Sequence, residues 1–172
     1  YTTLFRSLDL RNPNYKTNKV MFHQRYSTNT FPEWKLAQPF RFLAHNGEIN
    51  TIKGNTNWMM AREKECFSEV WKNNIIVITR FIMPGGSDSA ELDNALELMS
   101  LTNGDVLKSI SMLIPEAYEK DPSFDPKLKS FYETTSCIVE PWDGPADLVF
   151  TDGNIIGAAL DRNGLRPVRY HI

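Results

Sequence analysis

The sequence predicts an α+β fold, with helices layered on antiparallel sheet, and three observations carry that reading. Strand-like stretches occupy the first third, two helical periodicities fill the middle, and regularly spaced turn signals punctuate the end. Strands and helices grouped in this way, without alternating βαβ units, belong to that class. At 172 residues the chain is long enough for a single domain that buries about two-thirds of its unfolded surface.

Residues Tyr1 to Asn18 read as a polar lead-in around Leu4, Phe5, Leu8 and Leu10, with a turn at Asn12-Pro13-Asn14. Lys19 to Thr28 alternates weakly, Val20 and Phe22 against Met21 and His23, and predicts a strand. An aromatic and Pro-bearing loop follows, Asn29 to Pro39. The apolar stretch from Phe40 then runs as a strand into His45-Asn46-Gly47-Glu48-Ile49-Asn50. Thr51 to Glu65 predicts a helix with Ile52, Met59 and Cys66 near one stripe, although Gly54 weakens it by ~1 kcal/mol.

Ile75 to Thr79 is β-branched and predicts a short strand. Pro84-Gly85-Gly86-Ser87-Asp88 opens the clearest helix, capped by Asp88 with Glu91 or by Ser87, with Leu92, Ala95, Leu96 and Met99 inward and Asn103-Gly104 as its stop. Asp105 caps a second helix through Val106, Leu107, Ile110, Leu113 and Ile114, ending near Pro115. A short helix follows the Pro- and Asp-rich loop Asp121 to Pro126. From Ser136 the turns Asp143-Gly144-Pro145, Asp152-Gly153 and Asn163-Gly164 predict a meander of four antiparallel strands.

Composition removes several classes of function. A net charge of −2 with scattered Lys and Arg argues against nucleic acid as a partner. No apolar run approaches the ~20 residues needed to cross a bilayer, so no membrane is expected. Cys66 and Cys137 supply neither a disulfide framework nor metal-ligand spacing, and His23, His45 and His171 form no metal triplet. A reducing, cytosol-like compartment fits. Both thiols are expected to be buried, Cys66 at the end of a helix and Cys137 in a strand.

Three clusters fall at predicted strand ends or at a helix start: Arg25, Tyr26 and Thr28; Asn46, Gly47 and Glu48; Gly86 and Asp88. Arg25 offers a planar fork for a carboxylate and Asp88 an acceptor for an ammonium. Asn46 and Gly47 between them can polarise a carbonyl. A molecule with all three groups is an amino acid bearing a side-chain amide. Taken singly, each has a plainer reading: a surface arginine, a helix cap and a turn.

The motifs Phe22-His23-Gln24-Arg25-Tyr26-Ser27-Thr28-Asn29-Thr30, His45-Asn46-Gly47-Glu48-Ile49-Asn50, Gly86-Ser87-Asp88-Ser89 and Asp161-Arg162-Asn163-Gly164-Leu165-Arg166-Pro167 occur in that order. With Ile114-Pro115-Glu116-Ala117 and Pro141-Trp142-Asp143-Gly144 in the gaps, the chain closely resembles the class II glutamine amidotransferase domain of the glutamate synthases over essentially its whole length. The resemblance implies an N-terminal-nucleophile hydrolase sandwich, two antiparallel sheets between helical layers. It implies hydrolysis of L-glutamine to glutamate and ammonia through a thioester on an N-terminal cysteine, whose α-amine acts as base. Position by position, Arg25 would bind the α-carboxylate and Asp88 the α-ammonium. The Asn46 side chain and Gly47 N–H would form the oxyanion hole, and Tyr26, Thr28, Glu48 and Gly86 would line the pocket.

The ammonia would pass to 2-oxoglutarate in synthase domains of the same polypeptide, using FMN and an iron–sulfur cluster. Electrons would come from NAD(P)H or ferredoxin, with a small reductase subunit or ferredoxin as partner. These features belong to nitrogen assimilation in the cytoplasm or plastid stroma. No cofactor is expected on this segment. No nucleophilic N-terminal Cys precedes the Arg25 motif here, so residues 1–172 are expected to be the C-terminal portion of such a domain and inactive alone. Two alternatives stay open: a class II amidotransferase with a phosphoribosyl or sugar acceptor, or a domain that binds an amino acid without catalysis.

Overall fold

A computed structural model describes residues 8–26, 30–76, 78 and 80–172. It is an α+β arrangement in which one antiparallel sheet, ordered β1-β2-β3, packs on helices. Strand β1 is Leu43–Gly47, β2 is Ala146–Thr151 and β3 is Ile156–Leu160. The pairings Leu43 with Phe150, His45 with Leu148 and Gly47 with Ala146 set the β1–β2 register. Side chains alternate across a strand, so Leu43, His45, Ala146, Leu148 and Phe150 share the face turned to the core, and all five are buried. Gly157 pairs with Phe150 and leaves room for its ring, since a Cβ there would sit 2.5 Å from Phe150 Cζ.

Four helices follow the predicted order: α1 Ile52–Glu63, α2 Asp88–Asn103, α3 Val106–Leu113 and α4 Pro126–Thr135. Their ends obey the side chains at hand. Ser87 caps α2 by accepting from Ala90 N–H at 3.2 Å, and Gly104 ends it at φ +69°. Asp105 caps α3 through Lys108 N–H, and Asp125 caps α4 with Pro126 in its first turn. Leu92, Ala95 and Leu96 of α2 meet Val106, Ile110 and Leu113 of α3 in the same buried cluster as Leu43, Leu148 and Phe150. Met99 is only partly buried against it, and Leu107 is exposed.

Several expected strands are absent from the described residues. Residues 19–26 run without strand pairing, and the His23 imidazole engages the backbone of Arg25, 2.6 Å from its carbonyl oxygen and 3.1 Å from its nitrogen; the end of that expected strand, Ser27 and Thr28, lies outside the described residues. A 3-10 turn, Lys72–Ile76, occupies the start of the predicted strand at Ile75. The four-stranded meander reduces to β2 and β3. The run after Ser136 continues as turns off α4, and Trp142 then drops into the core with its N–H on Leu113 O at 2.7 Å. Beyond Leu160 the chain folds around Asp161 instead of pairing.

Candidate functional site

Helix α2 runs against β1 and ties it down at three places. Near the start of β1, the buried Asp93 accepts from Phe42 and Leu43 N–H at 2.9 and 3.0 Å, and more weakly from Arg41 N–H at 3.4 Å. Burial pushes this carboxyl up, outweighing the pull of those N–H groups. In the middle, Ser89 Oγ lies 2.8 Å from His45 Nδ1. Past the end, Asp88 accepts from Ile49 N–H at 2.9 Å while also holding its neighbour's N–H, Ser89, at 2.7 Å. The edge of β1 that does not pair with β2 is closed at His45 by a side chain: the Gln38 amide donates to His45 O at 3.0 Å and accepts from His45 N–H at 2.6 Å. It satisfies the edge as a further strand would.

At the end of β1, main chain meets main chain. Gly47 has φ +145°, and a Cβ on it would fall 1.8 Å from Pro145 O; Gly144 has φ +154°, and a Cβ there would fall 2.0 Å from Glu48 O. Only glycine fits at either position. Glu48 N–H donates to Pro145 O, and Thr51 N–H to Asp143 O, so the two stretches interlock. Asn46-Gly47 is therefore the end of a strand and not a turn.

This strand end opens on a cavity of about 350 Å³ lined by Arg25, Tyr26, Asn46 and Gly47, together with His23, Gln38, His45, Ser89 and Arg166. Arg166 reaches it because Asp161 shapes the loop that precedes it. The Asp161 carboxylate accepts from Ala146, Asn163, Leu165 and Arg166 N–H at 3.0–3.3 Å. Burial opposes the charge, yet those four bonds outweigh it and hold the carboxyl below its ordinary range. A second cavity of about 400 Å³ adjoins the first and is lined by Glu48, Gly86 and Asp88 with Ile49, Thr56 and Glu91. Asp88 bridges the two, since its Oδ2 lies 3.9 Å from His45 Nδ1.

The structure thus brings Arg25, Tyr26, Asn46 and Gly47 around one hollow and sets Glu48, Gly86 and Asp88 around its neighbour. Thr28 lies outside the described residues. A further cavity, about 760 Å³, sits elsewhere between Phe40, Trp71, Phe81 and Leu98, and shares only Gly86 with the predicted set. Gln38, His45, Ser89 and Arg166 were not singled out beforehand, although three of them stand inside the recognisable motifs. Nothing in the sequence marked Gln38.

Both cysteines correct the expectation of buried thiols: Cys66 and Cys137 are exposed, and neither lines these cavities. Helix α1 stops before Cys66, and Cys137 sits in the turn after α4. Among the described residues no three His, Cys, Asp or Glu converge as metal ligands. No described helix is long and apolar enough to cross a membrane.

A model of the class II glutamine amidotransferases matches residues 4–172. A glutamate synthase [NADH] of Saccharomyces cerevisiae is 52% identical over 166 residues, covering 95% of this chain and 8% of that protein. A ferredoxin-dependent glutamate synthase 2 of Synechocystis is 52% identical over 168 residues, 96% of this chain and 11% of that one. Ferredoxin-dependent glutamate synthase 1 of Arabidopsis thaliana, chloroplastic/mitochondrial, is 49% identical over 166 residues, 95% and 10% respectively. The chain therefore spans about a tenth of the length of these relatives.

Proposed function

The chain belongs to the class II glutamine amidotransferases, and from that premise we propose that it forms the glutamine-holding part of a glutaminase site in a glutamate synthase. The observation that carries this reading is the shared cavity of Arg25, Tyr26, Asn46 and Gly47. Arg25 takes the α-carboxylate of L-glutamine through its planar fork. The Asn46 amide and the Gly47 N–H stabilise the oxyanion, on a strand end that the Gly144 contact keeps rigid. Asp88 takes the α-ammonium from the adjoining hollow, and Tyr26, Thr28, Glu48 and Gly86 complete the walls.

The attacking cysteine comes from outside this chain, since neither thiol here lines the site. Its sulfur attacks the carboxamide carbon, ammonia leaves, and water cleaves the thioester to release glutamate. The ammonia then aminates 2-oxoglutarate in other domains of the polypeptide, at the expense of NADH or ferredoxin, the donors named for the relatives. The outer face of the sheet, where Ile156 and Leu160 are each 46% exposed, would take the second sheet of an N-terminal-nucleophile sandwich.

Steady-state glutaminase assays on the full polypeptide that carries this segment test the proposal. Asn46→Ala should lower kcat by roughly 10²–10³-fold with little change in KM, as removal of an oxyanion donor does. Arg25→Lys should instead raise KM. Wild-type turnover by Asn46→Ala would refute the assignment.

A further inference from the structure

His45 is 1% exposed and lines the cavity that holds Arg25, Asn46 and Gly47. Ser89 Oγ lies 2.8 Å from its Nδ1 and 3.2 Å from Asp88 Oδ1, and Asp88 Oδ2 is 3.9 Å from the same Nδ1. Ser89 has one hydroxyl proton, and the carboxylate is its stronger acceptor. Nδ1 must then carry a proton, which it donates to Ser89 Oγ and which the nearby carboxylate favours. Burial pushes the imidazole's pKa down and keeps it neutral. The result is a fixed tautomer with a bare lone pair on Nε2.

That Nε2 is buried and has no hydrogen-bond partner among the described residues. Buried polar atoms without partners are uncommon and call for an explanation. His45 lines the same cavity as Asn46 and Gly47, whose other polar walls include the cationic Arg25 and Arg166. Resting on the function proposed above, we infer that His45 is a substrate-contacting residue whose Nε2 accepts a hydrogen bond from an N–H donor of the bound amino-acid amide, with Ser89 as the positioning residue that fixes its tautomer. Glutamine carries two such donors, the carboxamide NH2 and the α-ammonium. Protonating His45 turns this acceptor into a donor, so binding weakens in acid. The charged and titratable groups facing His45 are Asp88 from α2, Asp147 from β2, His23 from the segment before β1, and Arg166 from the C-terminal loop.

The test uses the full polypeptide, with kcat/KM for L-glutamine and the inhibition constant of L-glutamate measured across pH. His45→Leu removes the acceptor and should lower kcat/KM about tenfold, the scale of one buried hydrogen bond. His45→Gln restores an acceptor that cannot titrate, so it should recover most of that loss and abolish the acid limb lying below the ordinary histidine range. The limb should survive in His23→Gln. Glutamate inhibition weakened in parallel in His45→Leu assigns the ammonium as donor, and unchanged inhibition assigns the carboxamide. Wild-type behaviour of His45→Leu, or an acid limb that persists in His45→Gln, overturns the inference while leaving the glutaminase reading intact. Should His45→Leu fail to fold, the pH profile of His45→Gln decides alone. A wild-type enzyme that neither hydrolyses glutamine nor binds glutamate overturns both.

Discussion

Asp93 and Asp161 are both buried aspartates, 2% and 5% exposed, and both hold backbone N–H groups, Asp93 at the start of β1 and Asp161 in the loop after β3. Their carboxyls nevertheless move in opposite directions: Asp93 is pushed up and Asp161 is held down. Burial is the largest influence on each. Asp93 is the more deeply desolvated of the two, and the donors differ as well, since Asp161 has four N–H groups shared between its two oxygens, whereas Asp93 has two good bonds on Oδ1 and a long one on Oδ2. Glu97 beside Asp93 adds a like charge. A carboxylate thus serves as an organising ion only where donors outnumber what burial removes. Otherwise it serves as a hydrogen-bond acceptor whose charge is a burden.

The largest effect should follow from Asp161→Asn. An amide can accept with one oxygen only and must turn its NH2 toward two N–H groups, leaving them unpaired. Chemical denaturation should show a loss of roughly 3 kcal/mol or more, from about 1–3 kcal/mol for each group left unmade. Because the folded carboxyl lies below its unfolded value, the stability it supplies is present above about pH 3.9 and is lost as pH falls through the folded pKa. The gap between wild type and Asp161→Asn should therefore close in acid. A gap that stays constant down to low pH would break the contrast.

An intermediate effect is expected for Gln38→Ala, which strips the His45 backbone of both partners without touching either aspartate. A loss of about 1–2 kcal/mol is the scale for such partly buried groups. The smallest effect belongs to Asp93→Asn. Its amide oxygen keeps the bonds to Phe42 and Leu43, so denaturation midpoints at neutral pH should shift by no more than about 1 kcal/mol. The sign of its pH dependence is reversed. With the folded pKa above the unfolded one, ionised Asp93 costs stability that sets in as pH rises from about 3.9 through the raised value. Asp93→Asn should then gain on the wild type over that window, and a loss there would place Asp93 with Asp161.

Neither role can be told from the sequence by residue type, yet much else was legible. Two helix starts followed from local chemistry, Ser87 and Asp105 each bonding to an N–H group three residues on. The inward faces of α2 and α3 followed from periodicity. Of the residues the motifs singled out, Arg25, Tyr26, Asn46 and Gly47 line one hollow, while Glu48, Gly86 and Asp88 line another. What failed was strand pairing, because a strand exists only with a partner. Lys19 to Tyr26 alternates as a strand would, but the His23 ring takes up Arg25's backbone locally. Of the four cavity residues that the sequence did not mark, Gln38 and Arg166 arrive through contacts distant in sequence. Gln38 reaches across to β1, and Arg166 is delivered by a loop wound on Asp161.

The reciprocal fit of Gly47 with Pro145 and of Gly144 with Glu48 has a consequence for how such a site can diverge. With no side chain on either surface, there is nothing at that junction for an ordinary replacement to enlarge, trim or recharge. New substrate preferences must be written in the surrounding walls, while the floor itself can be altered only by adding or deleting residues in one of the two segments.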